Sequence, residues 1–475
     1  MIPSPQFEDI RRSIRDKNNS IAQQREGWIK RNPYYYSEVL KSLRFIVPEG
    51  SSVLHIRCST GFLLNELKPA HGVGIDDSDQ QIALATTNYP RMEFHHQSPE
   101  EPDVKGIFDY IIISSVEDIV DLKAVLDGVK KNADRATRFI LMHYNFLWHP
   151  FVQLAEALHL KIPQRLHNWL SLNDVNNMLR LSHLEPVHTK KIVLFPFFIP
   201  FISYLLNRFI ARLPLFRQLT MTRLTVARML GVQEKEYSVT VVVPCKNEAG
   251  NVESAVRRIP EMGKGTEIIF GDDKSTDGTK EKVLEMIKKY RKRKIKVVDS
   301  PGICKAENVW TCFDHAKGDI LMILDADLTV IPEELPYFYE AITRNYGEFI
   351  NGSRLVYPMH KDAMKPVNML GNKFFSTLFS YILDTTIKDT LCGTKVLWKK
   401  DYEKIKKLRG SWGIQDRWGD YELIFGAAKQ HLKIIDLPVH YMDRTYGETK
   451  MTNRFRNGWI MLRMCMVSLM KIKFY

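Results

Sequence analysis

The stretch Ile320–Asp327, ILMILDAD, joins an apolar run directly to two acidic residues. Five consecutive aliphatic residues predict a strand that is buried on both faces, as in the parallel sheet of an α/β protein. Asp325 and Asp327 follow the run, and ligands of open α/β sheets bind outside the carboxyl ends of strands. Two carboxylates there can hold a hard divalent cation against a diphosphate, although a solvated turn gives the same triplet.

Two strands predicted earlier in the chain, SVTVVVP and TEIIFGD, also run into polar residues. Acids at the ends of neighbouring strands can accept hydrogen bonds from a ribose and a uracil-like ring, whereas Ser275 and Asp277 can also cap the next helix. The candidate nucleotide-binding residues at these two strand ends are Pro244, Asn247, Glu248, Asp273, Ser275 and Asp277.

The motifs VVVPCKNE, DDKSTDGT and LDADLT, in this order and at these spacings, resemble the family 2 glycosyltransferases of the GT-A fold. The resemblance implies that Glu248 and Asp273 contact the nucleoside of a nucleoside-diphosphate sugar. It further implies that Asp325 and Asp327 hold Mg²⁺ or Mn²⁺. The Gly-Lys-Gly stretch that is common in the family reads PGICKAENVW here, so that Lys305 stands in for its lysine.

The downstream motifs IKDTLCGTKVLW, WGDYELIFGAAK and PVHYMDRTYGETK resemble the branch that makes polyprenyl-phosphate sugars. This resemblance puts Asp420 where related enzymes have a general base, with Asp416 as a close competitor. A base is needed only for a hydroxyl acceptor, because a lipid phosphate is already an anionic nucleophile. By the same resemblance, Arg444, Tyr446 and Lys450 lie near the donor diphosphate or an acceptor phosphate; a solvated basic loop is the alternative.

Earlier in the chain, VLHIRCSTGFLL, GVGIDDSDQQIALA and FDYIIISS resemble motifs of class I S-adenosylmethionine-dependent methyltransferases. The resemblance implies that Gly61 and Asp76 contact the cofactor, Asp76 through its ribose. His55, Arg57 and Ser59 replace an acidic residue and two glycines of that motif. A side chain where the backbone must approach the ligand argues against cofactor binding, so we expect little or no methyl transfer.

From about Tyr34 onward, the chain resembles bacterial proteins that fuse these two enzyme families. The resemblance implies an α/β protein, with a Rossmann-like methyltransferase fold followed by a GT-A nucleotide-sugar transferase domain. The expected segments are a methyltransferase-like domain at 1–186, a basic apolar linker at 187–236, the transferase domain at 237–450 and an amphipathic helix at 451–475.

The net charge of +13 indicates anionic partners, and six well-separated cysteines suggest reduced thiols in a cytoplasmic protein. The apolar run Ile192–Leu206 contains two prolines and is shorter than the ~20 residues of a membrane span. We therefore expect peripheral contact at the inner face of the membrane, through Ile192–Arg228 and the C-terminal helix. The basic run Lys288–Lys296 fits a solvated face, so a nucleic-acid partner is not expected.

Taken together, the motifs predict an inverting, metal-dependent glycosyltransferase that moves a sugar from a nucleoside-diphosphate sugar to a lipid-linked or cell-surface glycan acceptor. One alternative is a bifunctional enzyme that also methylates the glycan with S-adenosylmethionine. The other is a non-catalytic nucleotide-binding scaffold for glycan assembly, against which the intact Asp325, Asp327 and Asp420 argue.

Overall fold

The chain folds into two compact α/β units, Met1–Gly231 and Val232–Tyr475. This division confirms the expected fold class. No helix among the described residues is long and apolar enough to cross a membrane. The computed structural model describes residues 5–161, 170–231, 235–354, 366–412, 416–442, 444, 446 and 454–474.

The first unit is built on a seven-stranded sheet. Its strands are β1 (Ser52–Ile56), β2 (His71–Asp76), β3 (Glu93–His96), β4 (Tyr110–Ile113), β5 (Arg138–Tyr144), β6 (Leu184–Ile192) and β7 (Thr222–Met229). Their spatial order is β3-β2-β1-β4-β5-β7-β6, in which the first five strands are parallel and β7 is antiparallel to both neighbours. This is the doubly wound, Rossmann-like arrangement that the resemblance predicts.

Helices cover both faces of this sheet, and apolar strand residues such as Leu54, Ile111 and Phe139 are fully buried. The helices of the first unit are α1 (Pro5–Arg31), α2 (Pro33–Ile46), α3 (Phe62–Glu66), α4 (Asp79–Asn88), α5 (Leu122–Val129), α6 (His149–Ala157), α7 (Leu172–Leu181) and α8 (Ile202–Arg208).

The stretch 187–236, which we expected to be a linker, instead supplies most of β6 and all of β7 to the first sheet. Two of its arginines are buried within that sheet and not on a basic surface. Arg228 pairs with Glu185 at 2.7 Å, and Arg223 donates a hydrogen bond to Asn145 at 3.0 Å. The expectation was wrong because these arginines have partners on other segments of the unit.

The second unit also contains a seven-stranded sheet. Its strands are β8 (Val239–Cys245), β9 (Thr266–Asp272), β10 (Lys294–Asp299), β11 (Ile320–Ile323), β12 (Phe349–Ser353), β13 (Lys395–Trp398) and β14 (Ile434–Pro438). The order is β10-β9-β8-β11-β13-β12-β14; the first four strands are parallel, and β13 is antiparallel to β11 and β12. The carboxyl ends of β8, β9 and β11 therefore share one edge with the start of β13.

Helices enclose the second sheet and close two buried apolar clusters, one on residues such as Trp310 and Phe425, the other on residues such as Val241 and Phe338. The helices are α9 (Ala249–Arg258), α10 (Thr279–Lys289), α11 (Lys305–His315), α12 (Leu335–Thr343), α13 (Pro366–Leu383), α14 (Lys399–Lys406), α15 (Tyr421–Lys429) and α16 (Arg454–Ser468), which continues as a π-helix over Leu469–Lys473.

Helix α16 occupies the position of the expected C-terminal amphipathic helix. Met461 and Cys465 are buried in the apolar cluster that contains Trp310 and Phe425, and Leu462 packs against it. Trp459 and Met466 are instead exposed. One face of the helix is thus anchored in the second unit, and two large apolar side chains are exposed on the other.

Candidate active site

Asp325 and Asp327 follow β11 at the shared edge, and each carboxylate forms an ion pair with a different cation. Lys305, the first residue of α11, pairs with Asp325, and Arg444 pairs with Asp327. Burial acts to raise the pKa of Asp325, but the Lys305 ammonium outweighs it and holds that pKa below its usual value. The pKa of Lys305 is raised in turn. Burial alone would lower this pKa, but the Asp325 and Asp420 carboxylates favour the charged ammonium and outweigh burial. Asp325 is therefore an ionised, partly exposed carboxylate.

The two carboxylates fit a divalent cation that is shared with a substrate phosphate. Asp327 Oδ1 accepts hydrogen bonds from the backbone N and the hydroxyl of Thr329, at 3.2 and 2.9 Å, which orients the side chain. A Cβ at Gly393 would lie 2.1 Å from Asp325 Oδ2, so glycine keeps that oxygen accessible. Within the described residues there is no cluster of three or more His, Cys, Asp or Glu able to hold a metal by protein ligands alone. One or two carboxylates with substrate phosphates is a common ligand set for Mg²⁺.

Glu248 and Asp273 lie at the ends of β8 and β9, where the resemblance puts the nucleoside. Both side chains are buried. Glu248 Oε2 accepts a hydrogen bond from Asn251 at 2.8 Å. Asp273 accepts one from the Ser300 hydroxyl at 3.0 Å and lies 3.4 Å from the Lys246 ammonium. The structure thus brings these two acids to the same edge as Asp325, although neither touches it.

The other residues predicted at these strand ends bind the two loops to each other. The Asn247 backbone N donates to the Ser275 hydroxyl at 3.0 Å, and the Asn247 side chain accepts from Thr276 N at 2.8 Å. Asp277 accepts from the backbone N of Ala249 at 3.0 Å, at the start of α9. Pro244 lies within β8, opposite Gly271 of β9. The contacts of these residues are those of a scaffold that fixes the loops.

Asp416 and Asp420, the two candidates for a general base, have different surroundings. The Asp416 carboxylate accepts backbone N–H groups of Trp418, Tyr421 and Glu422 at 2.9, 2.8 and 3.0 Å, which caps α15. Asp420 Oδ1 instead lies 3.2 Å from the ammonium of Lys395. Burial raises the pKa of Asp420 above its usual value despite the cations Lys395 and Lys305. A base needs a free oxygen for the acceptor, and three backbone bonds leave Asp416 little capacity for that role.

Lys395 is a site residue that our sequence reasoning missed. It is the first residue of β13 and is fully buried, and because β13 runs antiparallel to β11 it arrives beside the β11 carboxyl end. A single lysine in the apolar run KVLW was the available signal, since a fully buried lysine is rare unless it is paired.

Arg354, also missed, makes a buried bidentate pair with Asp389 at 2.8 and 2.9 Å. The guanidinium holds the pKa of Asp389 well below its usual range, although burial opposes this. Arg354 and Lys395 also help to lower the pKa of Asp325. Four cations therefore lie around the carboxylates of the site, namely Lys305, Arg354, Lys395 and Arg444. Such a set of positive charges suits a diphosphate.

Of the three residues expected on the last loop, the structure describes two. Arg444 bridges the acids, because its second guanidinium nitrogen lies 3.7 Å from Glu248 while the first pairs with Asp327. The Tyr446 ring packs on Gly250, where a Cβ would come within 2.6 Å of it. Lys450 lies outside the described residues.

The first unit contains a second site candidate, the turn after β1. Arg57 and Ser59 have φ angles of 60° and 55°, which are glycine-like conformations occupied by larger residues. The Arg57 guanidinium is buried, pairs with Asp77 and lies 3.8 Å from Asp118. Gly61 keeps its positive φ of 79°, as the resemblance requires.

Asp76, the predicted ribose ligand, binds the backbone of the loops that follow β1 and β2. Its two oxygens accept backbone N–H groups of Ser59 at 2.9 Å and Ser78 at 3.1 Å. His55 donates to or accepts from Ser114 at 2.7 Å, and burial lowers its pKa to about 4, which keeps it neutral. The acid that usually precedes the turn is thus replaced by an uncharged, internally bonded ring.

The second unit matches a known protein family. Residues 240–424 match the family described as Glycosyl transferase family 2. The dolichol-phosphate mannosyltransferase of Pyrococcus furiosus is 38% identical over 120 residues, which are 25% of this chain and 33% of that protein. The chain thus spans about a third of the length of that curated relative.

Solved structures of two kinds also resemble the chain. Glucosyl-3-phosphoglycerate synthase from Mycobacterium tuberculosis, in complex with Mn²⁺ and UDP, is 15% identical, with 50% of this chain and 80% of that chain covered and a TM-score of 0.37. Magnesium protoporphyrin IX methyltransferase from Synechocystis, with bound SAH, is 16% identical, with 46% and 99% covered and a TM-score of 0.34. By the match over residues 240–424, the second unit carries a family 2 glycosyltransferase domain.

Proposed function

We propose that the second unit transfers a sugar, with inversion at its anomeric carbon, from a nucleoside-diphosphate sugar to a lipid-linked or cell-surface glycan acceptor. The observation that carries the proposal is the cluster of paired charges at the carboxyl end of β11, in which Asp325 and Asp327 meet Lys305 and Arg444. A relative named for dolichol phosphate supports a lipid phosphate as one acceptor class.

In this proposal, the donor lies across the shared edge of the sheet. Glu248 and Asp273 accept hydrogen bonds from the nucleoside, and Asp325 and Asp327 would hold Mg²⁺ or Mn²⁺, which would offset the charge on a leaving diphosphate. Lys305 and Arg444, now paired with the two aspartates, then turn to the diphosphate oxygens. Exchange of carboxylate for phosphate conserves the charge balance of the cluster, because each cation keeps an anionic partner.

Asp420 is the proposed base for a hydroxyl acceptor. Its raised pKa makes it a better proton acceptor than an ordinary aspartate, and Lys395 at 3.2 Å orients it and favours the ionised form. If the acceptor is a phosphate, no proton needs to be removed. Asp416 positions α15 and thereby the residue before it, Asp420, without touching the acceptor.

For the first unit, we propose a methyltransferase fold without methyl transfer. The pair of Arg57 with Asp77 puts a cation where the positively charged sulfonium compound would bind. Asp76 already accepts two backbone hydrogen bonds. Like charges in a desolvated pocket repel, so both the charge and the missing ribose partner oppose the cofactor.

We also propose that the first unit attaches to a membrane surface through the connection between β6 and β7. Phe197, Phe198 and Leu215 on this connection are exposed, and Phe201 is 90% exposed with a φ of 64°. An aromatic residue rarely adopts this conformation, and here it presents the ring to the surroundings. Apolar side chains projecting next to basic residues such as Arg208 favour insertion at an anionic lipid interface.

Replacing either Asp325 or Asp327 by alanine should abolish transfer while the fold persists, because these carboxylates end a strand and serve a ligand. Loss of the divalent cation should raise the barrier by roughly several kcal/mol. The measurement is nucleoside diphosphate release with and without chelator, and Asp319→Ala, an acid at the opposite end of β11, is the control. A rate near that of the native protein in the variants, unaffected by chelator, would contradict the metal assignment.

Asp420→Asn should lower the turnover for a hydroxyl acceptor by ~10²- to 10⁴-fold and leave donor binding nearly unchanged. The native rate should rise with pH through the raised pKa of Asp420, since the base acts only when deprotonated. Asp416→Asn should instead lower the melting temperature, because it weakens the cap of α15. Steady-state rates and thermal unfolding of both variants separate the role of a base from that of a helix cap. An unchanged rate in Asp420→Asn would exclude Asp420 as the base for that acceptor.

Isothermal calorimetry should detect no micromolar binding of S-adenosylmethionine by the native chain. The double variant Arg57→Gly, Ser59→Gly should gain binding, because it removes the cation and restores small residues at positive φ. Arg57→Lys is the matched control. It retains the charge and should still not bind S-adenosylmethionine. Tight binding by the native chain would overturn this assignment.

Sedimentation with anionic vesicles at low salt should carry the protein into the pellet, and Phe198→Ser with Phe201→Ser should leave it in solution. Leu181→Ser removes an apolar side chain of α7 that is 58% exposed, and it should have no effect. Salt should weaken binding, because the anionic headgroups attract basic residues. No pelleting of the native protein, or equal loss in the control, would contradict the attachment.

A further inference from the structure

Helix α16 exposes a stripe of side chains that none of the roles above uses. The stripe consists of Arg456, Trp459, Arg463 and Met466, and Met470 continues it in the π-helical turn. The spacing of three and four residues places these side chains on one face of the helix. Trp459 is 63%, Met466 51% and Met470 42% exposed. The α16 stripe therefore combines arginines with large apolar side chains.

The opposite face of α16 fixes the direction in which the stripe points. Met461, Met464 and Cys465 are buried in the apolar cluster that contains Trp310 and Phe425. The helix cannot turn the stripe inward without exposing these side chains to water, because the two sets lie on opposite sides of its axis. The α16 stripe thus stays exposed unless a partner covers it.

The charges of the stripe restrict the kind of partner that can cover it. Within the described ranges of the chain, neither Arg456 nor Arg463 forms an ion pair. A symmetric contact with a second copy would bring the arginines of both copies onto one apolar surface, where like charges repel. An anionic partner instead offsets both charges. The stripe therefore disfavours self-association and favours an anionic surface.

The apolar side chains of the stripe indicate which anionic surface fits. Tryptophan is enriched where lipid headgroups meet hydrocarbon, because its ring is apolar and its N–H is polar. Arginine can keep its guanidinium among anionic headgroups while its stem covers apolar surface. A helix face that carries both kinds of side chain suits the interface of an anionic bilayer.

The buried face of α16 lies near the acceptor side of the proposed sugar-transfer site. Burial, and then the neighbouring Cys465 thiol, raise the pKa of Tyr421 well above its usual value. Tyr421 directly follows Asp420, the proposed base. A lipid surface on the outer face of α16 would therefore be close to the residues expected to meet the acceptor.

We propose that the α16 stripe binds the surface of an anionic bilayer, with Trp459 and Met466 at the headgroup boundary and Arg456 and Arg463 on the lipid phosphates. This is a lipid contact of the second unit, separate from the connection between β6 and β7 in the first. The contact itself does not depend on sugar transfer. Its use, which is to bring the acceptor side of the site to a lipid-linked acceptor, rests on the proposed function.

The direct test is quenching of Trp459 emission in the full-length protein by phosphatidylglycerol vesicles with brominated chains. The emission that is lost in Trp459→Phe should be quenched, because bromine acts only at short range. The control combines Trp459→Phe with Tyr337→Trp, which moves the indole to a position of α12 that is 61% exposed. Helix α12 packs in the other apolar cluster, so this indole should not be quenched. Equal quenching at both positions, or none of Trp459, would overturn the proposal.

A second pair of variants tests the role of the arginines. Arg456→Gln with Arg463→Gln should raise the lipid concentration at half-maximal quenching roughly tenfold, because each basic residue near an anionic surface adds to binding. Lys288→Gln with Lys292→Gln removes the same net charge from exposed positions at the end of α10 and should leave that concentration unchanged. Equal effects of the two pairs would show attraction by net charge alone and would overturn the proposal.

Met466→Ser distinguishes the lipid contact from self-association and from sugar transfer. It should raise the KM for a lipid-linked acceptor in vesicles and leave the kcat unchanged. Self-association of the native chain that Met466→Ser abolishes would show that a second copy covers the stripe, and would overturn the proposal. Quenching of Trp459 in a chain that transfers no sugar would support the lipid contact and contradict the proposed function alone.

Discussion

The pairing of charges at the carboxyl end of β11 is the constraint on which the site of the second unit depends. Asp420 is buried and Asp325 is partly buried, and an unpaired carboxylate in such surroundings is costly in free energy. Lys305 and Lys395 remove that cost from opposite sides, one from the first turn of α11 and the other from the start of β13. Because each ion pair joins two elements, the cluster holds the sheet edge in the arrangement that a charged donor requires.

The two units use the same kind of sheet edge in opposite ways. In the first unit, Arg57 lies in the turn after β1 and pairs with Asp77, and the two oxygens of Asp76 accept backbone hydrogen bonds from Ser59 and Ser78. In the second unit, the cations Lys305 and Arg444 reach the carboxylates on long side chains, so a diphosphate can replace those partners. A cation in the turn opposes the binding of a positively charged ligand, whereas cations next to the acids can bind an anionic ligand. This contrast supports the proposed donor site in the second unit and the proposed loss of methyl transfer in the first.

Local sequence patterns predicted the features that depend on single strands and their ends. The apolar runs before Asp325 and Asp273 predicted both the buried strands and the sheet edge at which these acids lie. Long-range pairing set the rest: Lys395 reaches the site because β13 is antiparallel to β11, and β7 joins the first sheet between β5 and β6. Spacing likewise could not distinguish Asp416 from Asp420, because the difference lies in the three backbone N–H groups that Asp416 accepts. Lys450 lies outside the described residues, and its role stays a prediction.

The central claim is that the charge cluster at β11 serves a nucleoside-diphosphate sugar. A screen of nucleotide sugars, with a polyprenyl phosphate and Mn²⁺ present, measures it most directly through nucleoside diphosphate release. We expect that at least one donor is turned over, that chelator stops the release, and that Asp325→Ala shows no release. Release that continues at the same rate with chelator and in Asp325→Ala would contradict the account.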